Sequence, residues 1–381
     1  MKLKNLSISN LFGILNYNIN FCDSDVNVIT APNGYGKTVI LNIINSIISN
    51  DFSYLVSLNF ESLSLEFKNF TITVEKSKNL LNVKVNETNE VILIPGGFDD
   101  LNTHKFKLNS NELSKYTDNM EVLFIRDQRI SSNINLVENY ASRLRDLINS
   151  AHLESAQISQ ELDGEFLVRL FHTLDNSSKT SIDSLEQRLL GIQDKLIKYS
   201  KYDLVNINNI NNIKHNIINR GIITNNNMFL LKLYVDDMLL KLEPIDYIFS
   251  KIELFESIIN ESVLSFKRIL FSRNDGFYFV SNNGSRIDYN LLSSGEKNQL
   301  IMTFNLIFNS HCYSVVLIDE PEISLHVSWQ SNFINSILKI KKINLFDNVI
   351  ISTHSPTIIG DYWDWVCDLS DLLEGDCING N

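Results

Sequence analysis

A chain of 381 residues with 44% hydrophobic side chains has material for one large domain, or for a head that carries an insert. A formal net charge of −12 excludes a uniformly basic surface, which binds nucleic acid through clustered Lys and Arg, so a protein partner is at least as well supported as DNA. No run of about 18 apolar residues exists to span a membrane, the first ten residues do not read as a secretory signal, and the four cysteines (Cys22, Cys312, Cys367, Cys377) form no CxxC pair, which points to a cytoplasmic protein with free thiols and no zinc site.

The start of the chain reads as β-rich. Residues 26–30 form a short apolar run that stops at Ala31-Pro32, and after a Gly-rich loop Val39, Ile40, Leu41, Ile43, Ile44, Ile47 and Ile48 recur at helical spacing. Leu63, Leu65 and Phe67, then Phe70, Ile72 and Val74, then Leu81, Val83 and Val85 alternate with polar residues, which predicts an antiparallel sheet with one wet face. Residues 122–125 are a further strand candidate. From about 131 to about 270 the pattern turns helical. Leu185, Leu189, Ile192, Leu196 and Tyr199 step by four and three like an a/d seam, too short a seam for a long coiled coil and better read as an amphipathic helix on a core. The Asn-rich stretch 205–228 reads as a surface loop or weak helix. Residues 277–280 and 286–289 flank an Asn-Gly turn and predict a hairpin. Residues 315–318 and 349–352 are nearly all apolar, as buried parallel strands require.

Three blocks in fixed order carry the chemistry. Ala31-Pro32-Asn33-Gly34-Tyr35-Gly36-Lys37-Thr38 fits the phosphate-loop pattern G-x-x-x-x-G-K-[ST] except at its first residue. In such a loop the amides of Asn33, Gly34, Tyr35 and Gly36 wrap phosphate oxygens, Lys37 reaches the β- and γ-phosphates of ATP, and the Thr38 hydroxyl holds Mg²⁺. Val315-Val316-Leu317-Ile318-Asp319-Glu320 is an apolar strand ending in two carboxylates. Asp319 is placed to hold Mg²⁺ through water, and Glu320 to polarise the attacking water. Between them, Leu292-Ser293-Ser294-Gly295-Glu296 offers a hydroxyl and amides at a helix start, which suit a γ-phosphate. Gln128, just past a strand, can touch Mg²⁺ or the water, or simply lie in a polar turn with Arg126 and Arg129. His354, in Ser352-Thr353-His354-Ser355-Pro356, follows a buried strand, where a neutral imidazole can bond a γ-phosphate oxygen.

These motifs resemble the ABC-type ATPase heads of the SMC, RecF and OLD-like group. Asp319-Glu320-Pro321-Glu322-Ile323-Ser324-Leu325-His326 is similar to that group's DEPE-x-x-LH block, Ser352 to Pro356 to its switch-histidine block, and Phe124 to Arg129 to its strand ending in a Gln-Arg pair. The likeness is nearest to the compact ATPases of bacterial anti-phage systems such as Septu, including its retron-linked form, and PARIS. Ala31 in place of Gly, Ser294 and Glu296 in place of the LSGGQ residues, Val327 in place of Pro, and Phe12 in place of an Arg near the nucleotide depart from the pattern.

The resemblance implies an α/β fold, a P-loop head with a mixed sheet and an antiparallel β subdomain. Its lobes are expected at 1–130 and 275–381 around a helical insert at 131–274. That insert is too short for an SMC arm and too long for a transporter ATPase, and after His354 too little chain remains for the TOPRIM nuclease of OLD proteins. It also implies that Ser293 and Gly295 act on the ATP of a second copy, so that ATP closes a homodimer or larger homo-oligomer. The expected function is ATP hydrolysis coupled to a separate effector, a nuclease, in phage defence. The alternative is a RecF-like repair ATPase acting on DNA, which needs a basic groove.

Overall fold

The structure, a computed structural model, describes residues 2–22, 25–77, 80–86, 88–93, 116–117, 120–126, 136–175, 182–206, 228–262, 264, 266–309 and 315–374. Gln128, Arg129, most of the Asn-rich stretch, Cys312 and Cys377 lie outside them. The chain divides into two compact units, residues 1–131 with 298–381, and residues 132–297.

Among the described residues the first unit holds two sheets. Strands β1 (Leu3–Leu11), β2 (Leu15–Asn20), β3 (Asn27–Thr30), β4 (Ser62–Phe67), β5 (Thr71–Ser77), β6 (Leu80–Val85), β7 (Thr88–Leu93) and β8 (Val122–Ile125) come from the N-terminal part of the chain, with helix α1 (Lys37–Ile48) and the short α2 (Ser53–Ser57) after β3. The antiparallel sheet has the order β2-β1-β4-β5-β6-β7. The alternation read from sequence sets its register: Leu65 faces Ile72 and Val74 faces Val83, all buried on one face.

The second unit begins with helices α3 (Leu136–Gly164), α4 (Phe166–Asp175), α5 (Ile182–Ser200) and α6 (Met228–Ser262). The seam residues Leu185, Leu189, Ile192, Leu196 and Tyr199 are all buried, and α5 packs along α6. Ion pairs Arg188–Asp236 and Lys195–Asp246 edge that packing. Strands β9 (Lys267–Ser272), β10 (Gly276–Ser281) and β11 (Arg286–Ile287) follow as an antiparallel sheet, with the expected Asn-Gly turn between the last two. This sheet clusters with the helices, so the unit runs to Lys297, beyond residue 274 where the sequence ends the insert. The start of helix α7 (Ser294–Phe308) therefore belongs to the second unit and the rest of it to the first.

The chain then completes the first unit with β12 (Val315–Asp319), α8 (Val327–Gln330), α9 (Phe333–Asn344), β13 (Asn348–Ser352), α10 (Pro356–Ile359), β14 (Val366–Asp368) and α11 (Leu369–Glu374). Its second sheet has the order β14-β3-β13-β12-β8 and is parallel at every pairing. Strands β12 and β13 are buried along their whole length, which explains their unbroken apolar runs. The fold is α/β, with parallel and antiparallel strands sorted into separate sheets.

Gly276 permits the contact of β10 with α3. Its φ is +74°, and a Cβ there would lie 2.0 Å from the Ala141 carbonyl oxygen and 2.9 Å from the Arg145 nitrogen. Gly284, in the hairpin turn at φ +82°, has nothing within 4 Å. Gly284→Ala is expected to cost about 1 kcal/mol, the backbone penalty alone. Gly276→Ala adds a clash with backbone and is expected to cost roughly 3 kcal/mol or more, read as a lower denaturation midpoint.

Candidate nucleotide site

A parallel sheet puts the C-terminal ends of all its strands on one edge, and the order of this sheet decides which loops meet there. The phosphate loop leaves β3, His354 follows β13, Asp319 ends β12, and Arg126 follows β8. Neighbours in space thus come from opposite ends of the chain. Backbone bonds lock the edge: the Glu320 amide donates to Ser352 O at 3.0 Å, and the Thr353 amide to Ile29 O at 3.1 Å.

Gly34 and Gly36 have φ of +92° and +85°, so the loop wraps as a side chain at either place would resist, and the first amides of α1 are left without intrahelical acceptors. Ala31 does not need the freedom of the Gly it replaces; its φ is not positive and its methyl is buried in the core. Tyr17 pins the loop from β2, its hydroxyl donating to Tyr35 O at 2.7 Å. Burial, with Tyr35 adding to it, pushes that phenol up to about 12, so it stays a donor at neutral pH. Phe12, at the β1–β2 turn, also has a positive φ and sets its ring beside Gly36.

Lys37 is 5% exposed. Its ammonium donates to Ala31 O at 3.1 Å and meets His354 Nε2. Burial lowers its pKa, while Glu320, Asp319, Glu322 and Asp368 act in the opposite direction. The same imidazole nitrogen lies 3.5 Å from Glu320 Oε1, so Lys37, His354 and Glu320 form one chain of contacts. Asp319 is buried and accepts a bond from the Ser352 hydroxyl on the adjacent strand. Glu320 has φ 44° and ψ 55°, a left-handed conformation that costs a non-glycine residue about 1–3 kcal/mol. That cost aims its carboxylate at the loop edge while the chain turns away through Pro321.

Several contributors are silent in the sequence pattern. Glu322 accepts the His354 amide at 2.6 Å through one oxygen, and its other oxygen is buried without a partner among the described residues. Gln330 accepts from the Ser355 hydroxyl at 2.8 Å and donates to Leu325 O at 3.0 Å. Glu322 lies inside the DEPE block, but only its distance from His354 assigns it a task.

The donors present fit ATP and Mg²⁺. Thr38 is exposed, and Asp319 engages its serine partner through one oxygen only. Among the described residues no group of three His, Cys, Asp or Glu is arranged to hold a metal ion by itself. One hydroxyl and one carboxylate leave the remaining positions to phosphate and water, as Mg²⁺ prefers. Ser293 and Gly295 sit at the start of α7, in the second unit.

These neighbours place the protein among the P-loop ATPases. The family model described as an AAA ATPase domain matches residues 1–359, and the chain belongs to that family. It is accordingly an ATP-binding ATPase. Solved structures that resemble it include the Smc head domain of Pyrococcus furiosus with an extended coiled coil, bound to the C-terminal domain of ScpA, at 11% identity over 94% of this chain and 91% of that chain, with a TM-score of 0.42. Another is the SMC head domain of Thermotoga maritima, at 13% identity over 95% and 93%, with a TM-score of 0.40. No curated protein matches the sequence. Among the described residues no helix is long and apolar enough to cross a membrane.

Tyr17→Phe keeps the ring and removes the bond to the phosphate loop. It is expected to cost about 1 kcal/mol of stability and to weaken ATP binding by roughly threefold to tenfold, measured by calorimetric titration.

Proposed function

We propose that this protein is a Mg²⁺-dependent ABC-type ATPase head that pairs with a second copy on ATP and so regulates a separate effector, a nuclease, in bacterial phage defence. The observation that carries the ATPase mechanism is the contact of His354 Nε2 with both Lys37 and Glu320 at the C-terminal edge of the parallel sheet. A γ-phosphate entering the loop meets the Lys37 ammonium and the His354 imidazole together, and Glu320 stands next to it. Thr38 and Asp319 would hold Mg²⁺, which neutralises phosphate charge when bound. Gln128 is assigned beside them from the sequence alone.

In this mechanism Lys37 and the loop amides of residues 33–36 hold the triphosphate. His354 fixes a γ-oxygen, and Glu320 takes a proton from the attacking water as the water oxygen bonds to the γ-phosphorus and the bond to the β–γ bridging oxygen breaks, that oxygen leaving with its electron pair on ADP. Glu322 keeps the His354 backbone in place. The signature residues Ser293 and Gly295 belong to the second copy's site, so chemistry requires closure. Each closed state is stabilised by contacts that the open state lacks.

The defence role is supported by the DEPE-x-x-LH and switch-histidine blocks, and the effector by the acidic balance of the chain, which favours a protein partner over nucleic acid. A cytoplasmic location goes with this reading. Co-purification of the neighbouring gene's product tests it, and protection of cells by this protein alone would count against it.

Glu320→Gln is expected to lower turnover by about 10²-fold or more while trapping an ATP-bound dimer. Light scattering with ATP present checks the second half of that expectation. Equal turnover by variant and parent would reject the assignment of Glu320.

A further inference from the structure

We propose that Lys267, a strand residue in none of the nucleotide motifs, is a positioning residue for the signature corner, holding Ser293 and the α7 amides toward a second copy's triphosphate and cancelling the Glu296 charge that would repel it. The inference rests on the reading that this corner completes a second copy's site.

The geometry begins with a capping box. The Ser293 amide donates to Glu296 Oε2 at 2.7 Å, and the Glu296 amide donates back to Ser293 Oγ at 3.2 Å. Two of the orphan donors at the start of α7 are satisfied in this way. Among the described residues the amides of Ser294 and Gly295 have no acceptor, and the Ser293 hydroxyl proton is not used by the box. These donors converge on one corner and suit an anion.

A capping carboxylate is a poor neighbour for a triphosphate, because it brings like charge to the same helix end. The charge is real: burial alone would raise the Glu296 carboxyl, but Lys267 and the Ser293 amide outweigh it and hold it below the ordinary range. Lys267 resolves the conflict from β9. Its ammonium stands 3.0 and 2.9 Å from the two Glu296 oxygens and 3.3 Å from Leu291 O. An ammonium has three donors, and these three acceptors bracket Ser293 on both sides. The pair is largely shielded, with side chains 24% and 16% exposed, so its charge cancellation survives solvent better than a surface pair. Glu296 thus keeps its capping geometry without presenting net charge. In the LSGGQ pattern a neutral Gln stands at this place and raises no such conflict.

Lys267→Met keeps the length of the stem and removes the ammonium. It is expected to lower ATP turnover and ATP-driven dimerisation by roughly tenfold, with little change in nucleotide affinity measured below the dimerisation concentration. The double variant K267M/E296Q restores a neutral capping box, since Gln caps as Glu does. It is expected to recover most of the lost turnover, which a merely structural role of Lys267 does not predict. If Lys267→Met fails to fold, the double variant carries the test alone. A folded double variant with turnover still tenfold down overturns the proposal, as does a folded Lys267→Met with unchanged turnover. Ser293→Ala separates the two levels. If it turns over like the parent, the reading of the corner falls and this inference with it. If it is impaired while Lys267→Met is not, only the inference falls.

Discussion

A buried ammonium is the constraint on which the rest of the first unit turns. Taking Lys37 out of water is costly, and the cost is met by a carbonyl at one strand end and by carboxylates from two others. Ala31 comes from the strand before the loop, Asp319, Glu320 and Glu322 from the end of β12, and Asp368 from β14. These groups can surround one cation only if their strands lie side by side and point the same way. The all-parallel order of the central sheet is therefore as much an electrostatic requirement as a packing one.

The same logic explains why the edge is tied by hydrogen bonds as well as by charge. Ser352 engages the end of β12 twice: its hydroxyl goes to Asp319 and its carbonyl accepts from Glu320. Glu322 and Gln330 secure the segment after β13. A loop held at so many points has few alternative arrangements, and the reactive groups need little reorganisation when a substrate arrives. The antiparallel sheet contributes through Tyr17, which reaches from its hairpin to the phosphate loop.

Local pattern makes much of this legible in the sequence. Alternation placed β4, β5 and β6 because one face of each is buried, and the unbroken apolar runs of β12 and β13 reflect burial on both faces. The phosphate loop and the Asp319-Glu320 pair announce themselves because their spacing is short. What stayed hidden depends on residues far apart in the chain. No spacing rule links Tyr17 to Tyr35, Glu322 to His354, or Lys267 to Glu296. Strand β7 escaped because its mixed polar sequence gives a weak alternation, and β14 because three residues are too few for a period. Gly276 belongs to no sequence motif, yet it lets a strand approach the Ala141 carbonyl, which draws the hairpin sheet into the helical unit. Gln128 was legible only as a motif position and lies outside the described residues.

The left-handed backbone at Glu320 has a consequence for how this chain can change over time. At that φ glycine or asparagine would rest more comfortably than glutamate. On the proposed role of Glu320, drift governed by folding robustness alone would therefore erode the carboxylate first, leaving a sturdier chain that binds fuel and does no work. Thermal resilience is for that reason a misleading guide when choosing among natural or engineered versions of this enzyme.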